Sequence, residues 1–401
     1  MPMAKPAEKT QPPAAPCCPP GKRSEANKPC CCDPLPKQAP ASPAGACCQP
    51  PAADDCPAYR HWPFVSGWQE TVTGPVPQVG TNLNWSDRVG HWQMRWGFGR
   101  DRYRVAPRLY AVGTPNDRSP VLVSANYKMS FDLLRQSLDG LDAWILVIDT
   151  RGINVWCAAG KGTFSSREIV RQLSRCELDR VISHRTLIVP QLGAPGVAAH
   201  QVKRDSGFAV IYGPVRANDL KAFLAAGMKT TPEMRRVTFS TLDRLVLTPV
   251  ELTGMVKPAL WAALVLFIAG GIGPDLFSID AALTRGTIAL GCLLAGILTG
   301  AVVVPLLLPW IPGRAFALKG ALFGLLVSLL MLAGIETKGS WPDTLALLLA
   351  LPAVSSYCAM NFTGSTTFTS PSGVEKEMRR AIPGQLAALL LAGACWIGAA
   401  L

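Results

Sequence analysis

Hydrophobic and polar positions follow three different rhythms along this chain. Between residues 59 and 250, short apolar runs alternate with amphipathic segments. "SPVLVSANY" and "AWILVIDTRG" have the near-continuous apolar character of strands buried on both faces, and "RTLIVPQL", "GFAVIYGPV" and "DRLVLTPVEL" follow in the same style. Helices are predicted between them. Ser165 and Glu168 have the spacing of a capping box, followed by Ile169, Val170, Leu173 and Cys176 on one face. A second helix is predicted over Ala217–Ala226, closed by Gly227. Strands alternating with helices predict an α/β fold with a largely parallel sheet, in which ligands bind beyond the carboxyl ends of the strands.

From about Pro258 the rhythm changes. Five apolar stretches follow, Pro258–Gly273, Gly286–Leu308, Ala315–Ile335, Thr344–Met360 and Ala381–Leu401. Most approach the roughly 20 residues that span a bilayer, and the first and fourth are short enough to need flanking residues. The expected organisation is a 1–58 tail, a 59–250 α/β domain and a 251–401 all-α membrane domain of five helices. The loop 309–314 with Lys319 carries two basic residues and the loop 361–380 three, whereas Arg285 and Lys338 stand alone in the alternate loops. Basic loops stay cytoplasmic, which predicts an inner-membrane protein with its N-terminus and α/β domain in the cytoplasm and its C-terminus outside. Lys257 and Lys319, near helix ends, are placed to snorkel. Five buried helices of a soluble protein are the less favoured alternative.

Charge sharpens this division. The 401 residues carry a net charge of +12, of which residues 1–257 contribute +11. A basic domain beside a membrane suits anionic lipid or anionic ligands. No dense basic–aromatic pattern points to nucleic acid.

Eight of the 13 cysteines precede residue 57: Cys17, Cys18, Cys30, Cys31, Cys32, Cys47, Cys48 and Cys56. Residues 1–58 also hold 15 of the 35 prolines and a single large aliphatic residue, Leu35. Such a segment cannot bury enough apolar surface to offset its ordering entropy, so disorder is expected. It has no apolar core of a secretory signal, so the thiols are expected to stay reduced. Paired thiols in a reduced, proline-spaced tail are natural ligands for soft metals, and a tail without consequence is an equal alternative.

One cysteine stands apart. In "INVWCAAGKG", residues 153–162, Asn154 reads as an N-cap and Gly160 as the C′ residue of a helix of little more than one turn, with Cys157 at its middle. Cys157, Ala158 and Ala159 are all small, so a broad flat ligand could approach the sulfur closely. The glycine spacing does not meet G-x-x-x-x-G-K-[ST], which sets aside a phosphate loop. A catalytic thiol would need a base, for which His61, His91, His184 and His200 are the candidates. A structural cysteine is the default for a buried thiol and fits Cys176 better.

"NVWCAAGKG" resembles the cap-helix signature of the mercury-methylating corrinoid proteins, the HgcA family. "RVAPRLYAVGTPNDRSPVLVSANYKMSFDLLR", residues 104–135, is similar to the corrinoid domain shared with the corrinoid iron–sulfur protein of acetyl-CoA synthesis, and "NFTGSTTFTSPSGVEKEMR", residues 361–379, resembles the family's C-terminal segment. The resemblance covers roughly residues 100–400. It implies a Rossmann-like corrinoid-binding domain, five membrane spans and a base-off, cobalamin-type cofactor with Cys157 as the lower axial ligand of cobalt. Asn154, Val155, Trp156, Ala158, Ala159, Gly160 and Lys161 would line that cofactor. For Asn154 and Trp156, capping and packing are equally good explanations, and Lys161 either meets a corrin amide or is simply solvated. No four-cysteine cluster motif lies in residues 59–401, so no Fe–S cluster is expected in this chain.

The implied activity is methyl transfer from a methyl-Co(III) corrinoid to Hg(II), as a carbanion equivalent favoured by an anionic soft donor below cobalt. The implied partners are a methyl-tetrahydrofolate-type donor system, a ferredoxin-like [4Fe–4S] protein (HgcB-type) as electron donor, Hg(II) as substrate, and membrane lipid. Two alternatives stay open. One is a membrane thiol protein that binds or transports soft metals, disfavoured because the spans hold few ionisable residues. The other is a corrinoid methyltransferase with a different acceptor.

Overall fold

The computed structural model describes residues 63–274, 276–334, 340–362 and 371–400. The eight tail cysteines, His61 and Lys338 lie outside them. The α/β half contains strands β1 (Val65–Thr71), β2 (Gly74–Val79), β3 (Leu109–Val112), β4 (Val121–Ala125), β5 (Ala143–Ile148), β6 (Thr186–Val189) and β7 (Ala209–Tyr212). Its helices are α1 (Trp85–Arg95), α2 (Lys128–Ser137), α3 (Val155–Gly160), α4 (Ser166–Arg175), α5 (Leu178–Val181), α6 (Ala199–Ser206) and α7 (Leu220–Ala225). The seven strands form one sheet in the order β1-β2-β3-β5-β4-β6-β7. Strands β5, β4, β6 and β7 are mutually parallel, while β3 runs antiparallel to β5 and β1–β2 is an antiparallel hairpin.

This order follows from the apolar runs. Every residue of β3, β4 and β5 is buried, as strands covered on both faces must be. Alternate side chains feed two separate cores. Val121, Val123, Leu146, Ile148, Leu187 and Val189 pack under α4 and α6, whereas Leu122, Ile145, Val147 and Ile188 pack under α2 and α7. From β4 the chain winds one way to β5 and then back across to β6 on the other side. That reversal opens a crevice between the carboxyl ends of β4 and β6, the usual ligand position in doubly wound sheets.

Two of the expected elements differ. "DRLVLTPVEL" is not a strand but α8 (Thr241–Leu245) and the first turn of α9 (Thr248–Gly271). Ser240 caps α8 by accepting from the Asp243 N–H at 3.2 Å while Asp243 accepts from the Ser240 N–H at 2.9 Å, a box that overrides the apolar run. The first apolar helix also starts ten residues before Pro258, which it carries in its interior.

The second half is helical. After α9 and a two-residue ladder between β8 (Ile272–Gly273) and β9 (Leu276–Phe277) come α10 (Ile279–Leu298), a π-helical turn (Thr299–Val303) and α11 (Val304–Leu307). Next are α12 (Phe316–Gly334), α13 (Trp341–Asn361) and α14 (Pro371–Gly398). Five helical stretches, Thr241–Gly271, Ile279–Leu307, Phe316–Gly334, Trp341–Asn361 and Gly373–Gly398, are long and apolar enough to cross a membrane. They pack through small residues. A Cβ on Gly300, Gly320 or Gly324 would collide with backbone or side-chain atoms of α13, the close helix approach that lipid-embedded bundles favour.

The helices pack directly on the end of the α/β half. Arg244, 2% exposed, donates to the Leu306 carbonyl at 3.0 Å. Phe239 packs on Phe362, and Thr253 Oγ1 donates to the Trp96 carbonyl at 2.9 Å. Lys319 does not snorkel: it is buried and donates to the Leu308 carbonyl at 2.9 Å. At the opposite end of the bundle Arg285 donates to Asp343 at 3.2 Å and to the Trp396 carbonyl, with its guanidinium over the Trp396 ring.

Candidate functional site

Cys157 sits on α3, beyond the carboxyl end of β5 and against the 3-10 turn Gln191–Gly193 that follows β6. The short helix is closed at both ends. Asn154 Oδ1 accepts from the Cys157 N–H at 2.9 Å. At the other end Lys161 is the C-cap. Gly162, at φ +75°, donates to the Ala159 carbonyl at 3.2 Å, and Thr163 donates to the Ala158 carbonyl at 2.9 Å. These two bonds make a complete Schellman motif. The left-handed C′ residue is therefore Gly162 and not Gly160, which lies inside the helix with open space around it.

The strand-to-helix loop is organised by a residue the sequence did not single out. Asn126, fully buried at the end of β4, accepts on Oδ1 from the Thr150 N–H at 3.0 Å, the Thr150 hydroxyl at 2.9 Å and the Gly152 N–H at 2.9 Å. Its amide donates to Asp149 Oδ1 at 3.0 Å. Asp149 in turn accepts from the Arg151 N–H at 2.9 Å, and the Thr150 hydroxyl donates to the Ile153 carbonyl at 2.6 Å. Arg151 and Gly152 are both left-handed, at φ +60° and +73°. One buried amide thus fixes the sharp turn that delivers Cys157 to the edge of the crevice.

The signature residues divide into two sets. Cys157, Gly160 and Lys161 are exposed, and Trp156 keeps 39% of its surface in solvent. Ala158 and Ala159 face the other way and are buried in the core beneath the sheet. Their small size is accounted for by packing. The Ala159 backbone lies so close to the 190–197 loop that a Cβ on Gly196 would come 3.1 Å from its Cα and 2.1 Å from the Phe164 carbonyl. Val155 packs against the same core. More than half of the surface of Trp156, expected to hold the helix in place, is covered. Asn154 is half-buried and committed to capping.

Around Cys157 the chemistry is cationic and phenolic. Tyr127 follows Asn126 and is buried. Burial pushes its hydroxyl above the ordinary tyrosine range, against the pull of Arg100 and Arg95, and Cys157 lies near enough to add to the rise. Burial also lowers the Arg95 guanidinium. Two of the candidate histidines are held elsewhere: His91 binds Asp132 at 2.8 Å and His184 the Ser119 carbonyl at 2.9 Å, while His200 lies exposed at the start of α6. Cys176 is buried in the core beside Gln172, as its spacing implied. No group of three or more His, Cys, Asp or Glu side chains among the described residues is placed to hold a metal ion. A metal held within a macrocycle needs only one protein donor, and Cys157 meets that requirement. It is exposed, its N–H is satisfied, and its sulfur makes no hydrogen bond among the described residues.

Behind the site lies a closed ion cluster. Lys128 Nζ donates to Asp87 and Asp132, each at 2.6 Å, and Arg135 donates to the same two carboxylates at 2.6 and 2.8 Å. All four side chains are fully buried, and Lys128 stacks over Phe64 and Tyr103. This joins α1 to α2 and sets where the loop after α1, carrying Arg100, meets Tyr127.

A single free thiol on a rigid cap over a parallel-sheet crevice defines a ligand-presenting α/β domain, and similarity to known proteins gives its kind. Residues 99–224 match the family described as CO dehydrogenase/acetyl-CoA synthase delta subunit. Over 127 residues the chain is 29% identical to the acetyl-CoA decarbonylase/synthase complex subunit gamma of Methanopyrus kandleri, covering 31% of this chain and 27% of that one. It is 28% identical, again over 127 residues, to the corrinoid/iron–sulfur protein large subunit of Moorella thermoacetica, covering 31% and 28%. The α/β domain is related to the corrinoid domain of these proteins. The chain spans about a quarter of the length of these relatives, and the family match ends before the membrane helices.

Proposed function

We propose that this protein is a membrane-bound, corrinoid-dependent methyltransferase that forms methylmercury from Hg(II), and that Cys157 is the lower axial ligand of the corrinoid's cobalt. The observation that carries the reading is the position of Cys157. Its sulfur is exposed on a helix braced at both ends, in a domain related to corrinoid proteins. The mercury acceptor rests on the resemblance of "NVWCAAGKG" and "NFTGSTTFTSPSGVEKEMR" to the mercury-methylating family, and on the softness of a thiolate donor.

When bound, the corrinoid supplies a methyl group that can leave cobalt with its electron pair toward a soft electrophile. The chain supplies the setting. Asn154 and the Gly162 closure hold the sulfur at a fixed height, the exposed Trp156 ring offers an apolar flank, and Lys161 offers a cation at the rim. Arg95 and Arg100 beside Tyr127 favour anionic groups on the same side. The implied partners are a methyl-tetrahydrofolate-type methyl donor and a ferredoxin-like [4Fe–4S] protein that would serve as electron donor. Arg314 precedes α12, and Lys319, Lys376, Arg379 and Arg380 lie in the N-terminal turns of α12 and α14, at the bundle end nearest the α/β half. This supports an inner-membrane protein with residues 59–250 in the cytoplasm and 251–401 as the membrane domain.

The test is anaerobic purification of the full chain, followed by spectroscopy for a Co–S bond and assay of methylmercury from Hg(II) with a methyl donor. A bound corrinoid without a Co–S bond overturns the ligand assignment. A bound corrinoid with that bond but no methylmercury favours another acceptor, and absence of any corrinoid favours a soft-metal binding protein.

A further inference from the structure

Helix α1 is inverted, with an ionic side inside and an aromatic side outside. Asp87, Gly90 and Met94 are buried, and Asp87 is bound to Lys128 and Arg135. At 100° per residue, Trp85, Trp92 and Trp96 fall on the opposite side, within about 40° of one another. Trp85 is 78% exposed and Trp92 66%, and Trp92 meets the half-buried Trp96 edge to face at 6.1 Å. Phe98, 60% exposed, follows in the next loop. Together they make a straight aromatic stripe about 16 Å long. Arg88 is exposed beside it, and residues 85–104 carry five arginines against two aspartates, one of them the buried Asp87.

One end of this stripe is fixed to the first apolar helix. The Trp96 carbonyl accepts from Thr253 of α9 at 2.9 Å, and a Cβ on Gly97 would come 3.3 Å from the Val250 side chain. Val256, about 4.5 Å beyond Thr253 along α9, is the first large apolar side chain of that helix to stand exposed. Leu260, Trp261, Leu264 and Val265 continue its outward face. The carboxyl end of α1 is therefore level with the point where α9 passes from protein-covered to lipid-facing. The same end of the bundle carries further exposed apolar groups: Leu242 and Leu245 of α8, and Trp310, with the Arg244 guanidinium 5.8 Å from its ring.

We propose that α1 lies along the bilayer surface, with Trp85, Trp92, Trp96 and Phe98 in the headgroup layer of the membrane that α9 enters and Arg88 at anionic headgroups. Tryptophan suits that layer because its ring is apolar and its N–H polar. An apolar patch of this kind marks an interaction surface, and a helix with an apolar face and basic flanks binds in the interfacial plane, about 5–10 Å deep. Position selects the occupant, since one end of the stripe is bonded to a helix where lipid contact begins. Asp87 ties α1 to α2, which starts directly after Tyr127, so this contact holds the crevice and Cys157 at a fixed height over the membrane. The proposal requires the five apolar helices to span a bilayer and is independent of the mercury reading.

The experiment uses the full chain in nanodiscs, with the eight tail cysteines changed to serine and Cys157 and the half-buried Cys395 to alanine; Cys176, Cys292 and Cys358 are buried. An environment-sensitive NBD label is placed on one new cysteine at a time, by Trp85→Cys, Trp92→Cys, Val256→Cys or Arg171→Cys. Lipids brominated at the top of the acyl chains are the quencher. Labels at 85 and 92 should both be blue-shifted and quenched, and the label at 171, on α4 over the other face of the sheet, should be neither. Adding phosphatidylglycerol to phosphatidylcholine should deepen quenching at 85 and 92, and Arg88→Glu should remove that gain. The label at 256 reports the span itself, and no quenching there overturns the membrane assignment and the proposal with it. With 256 quenched, no quenching at either α1 position overturns the proposal and leaves the stripe to a protein partner. Quenching at 92 without 85 overturns it as well, because α1 would then stand up from the bilayer. Quenching indifferent to phosphatidylglycerol overturns the role of Arg88.

Discussion

Asn126 and Gly152, 26 residues apart in sequence, are joined by a 2.9 Å bond from the Gly152 N–H to the Asn126 side-chain oxygen. The bond closes the turn that presents Cys157, so the position of the exposed thiol depends on a side chain on another loop. Asn126→Ala leaves the buried N–H groups of Thr150 and Gly152 without this acceptor. A loss of about 2–3 kcal/mol in unfolding free energy is expected, with lower corrinoid occupancy. Asn126→Asp should be worse, because its second oxygen would face Asp149 Oδ1, which now receives the Asn126 amide. Denaturant unfolding and cobalt content of the purified variants check both.

Cys157→Ala should leave stability within about 0.5 kcal/mol of the parent, since the side chain is exposed and its backbone bond to Asn154 survives. Methyl transfer to Hg(II) should be lost. Cys157→His should also be poor, because imidazole is a neutral and longer donor. Parent-level methylmercury formation by the alanine variant would refute the ligand role.

Bulk on α3 should act differently on its two sides. Ala158→Leu must enter a closed core and should cost about 1–3 kcal/mol. Gly160 lies within the helix, and a Cβ added to it would meet nothing within 4 Å. Gly160→Leu should therefore leave the apoprotein no less stable, with a gain in helix propensity of up to about 1 kcal/mol. A fall in corrinoid occupancy in Gly160→Leu without a lower melting temperature would place the ring against the exposed side of α3. Unchanged occupancy would place it elsewhere.

The strands β4 to β7 and the five apolar helices were legible because each is a near-continuous apolar run, and the cap helix because a capping asparagine and glycines bracket it. The hairpin β1–β2 and the strand β3 were not. β1 is mostly exposed or half-exposed, and its "VSGWQET" has too few apolar residues to read as a strand. β3 is no shorter than β6 or β7, but nothing in its own four residues announces an antiparallel place beside β5. Helix α1 begins at a capping box of Asn84 and Asp87, but its face carries exposed Trp85 and Trp92 and a buried Asp87, the reverse of the usual pattern. At the site, the motif pointed to Cys157 and its N-cap, while the inward turn of Ala158 and Ala159 depends on Gly196, which is distant in sequence. Asn126 could not be found by spacing, since an asparagine after a strand is ordinary until its three donors are seen.

The buried ion cluster gives the α/β domain a pH signature. Burial alone would raise the Asp132 carboxyl, but the His91 hydrogen bond and the charges of Lys128 and Arg135 outweigh it and hold it below the usual aspartate range. A carboxylate whose folded value is depressed adds stability that is present above its unfolded value and is lost as pH falls through the folded one. Denaturant midpoints should therefore drop below about pH 4, and Asp132→Asn should flatten that drop. Lys128→Met, which leaves two buried carboxylates with one cation, should cost about 3–5 kcal/mol at neutral pH.

The tail, whose cysteines lie outside the described residues, yields a separate outcome. If its thiols deliver mercury, deleting residues 1–58 should slow methylmercury formation at limiting Hg(II) and leave it unchanged at high Hg(II), because tethering raises effective concentration. If they protect, the low-mercury rate should be normal and inhibition should come earlier. Rates over a mercury titration separate the two, and identical curves would remove the tail from mercury chemistry.

The bond from Arg244 to the Leu306 carbonyl spans 62 residues, and this sets an order of events during synthesis. All seven strands of the large sheet leave the ribosome before the first apolar helix, so the α/β domain can assemble while no bundle exists. Arg244 must wait, its charge solvated, until two hydrophobic helices have been made and inserted. The joint between the two halves is thus the last part of that region to set. A ribosome stalled near residue 300 would carry a finished α/β domain on a hinge that has not yet been locked.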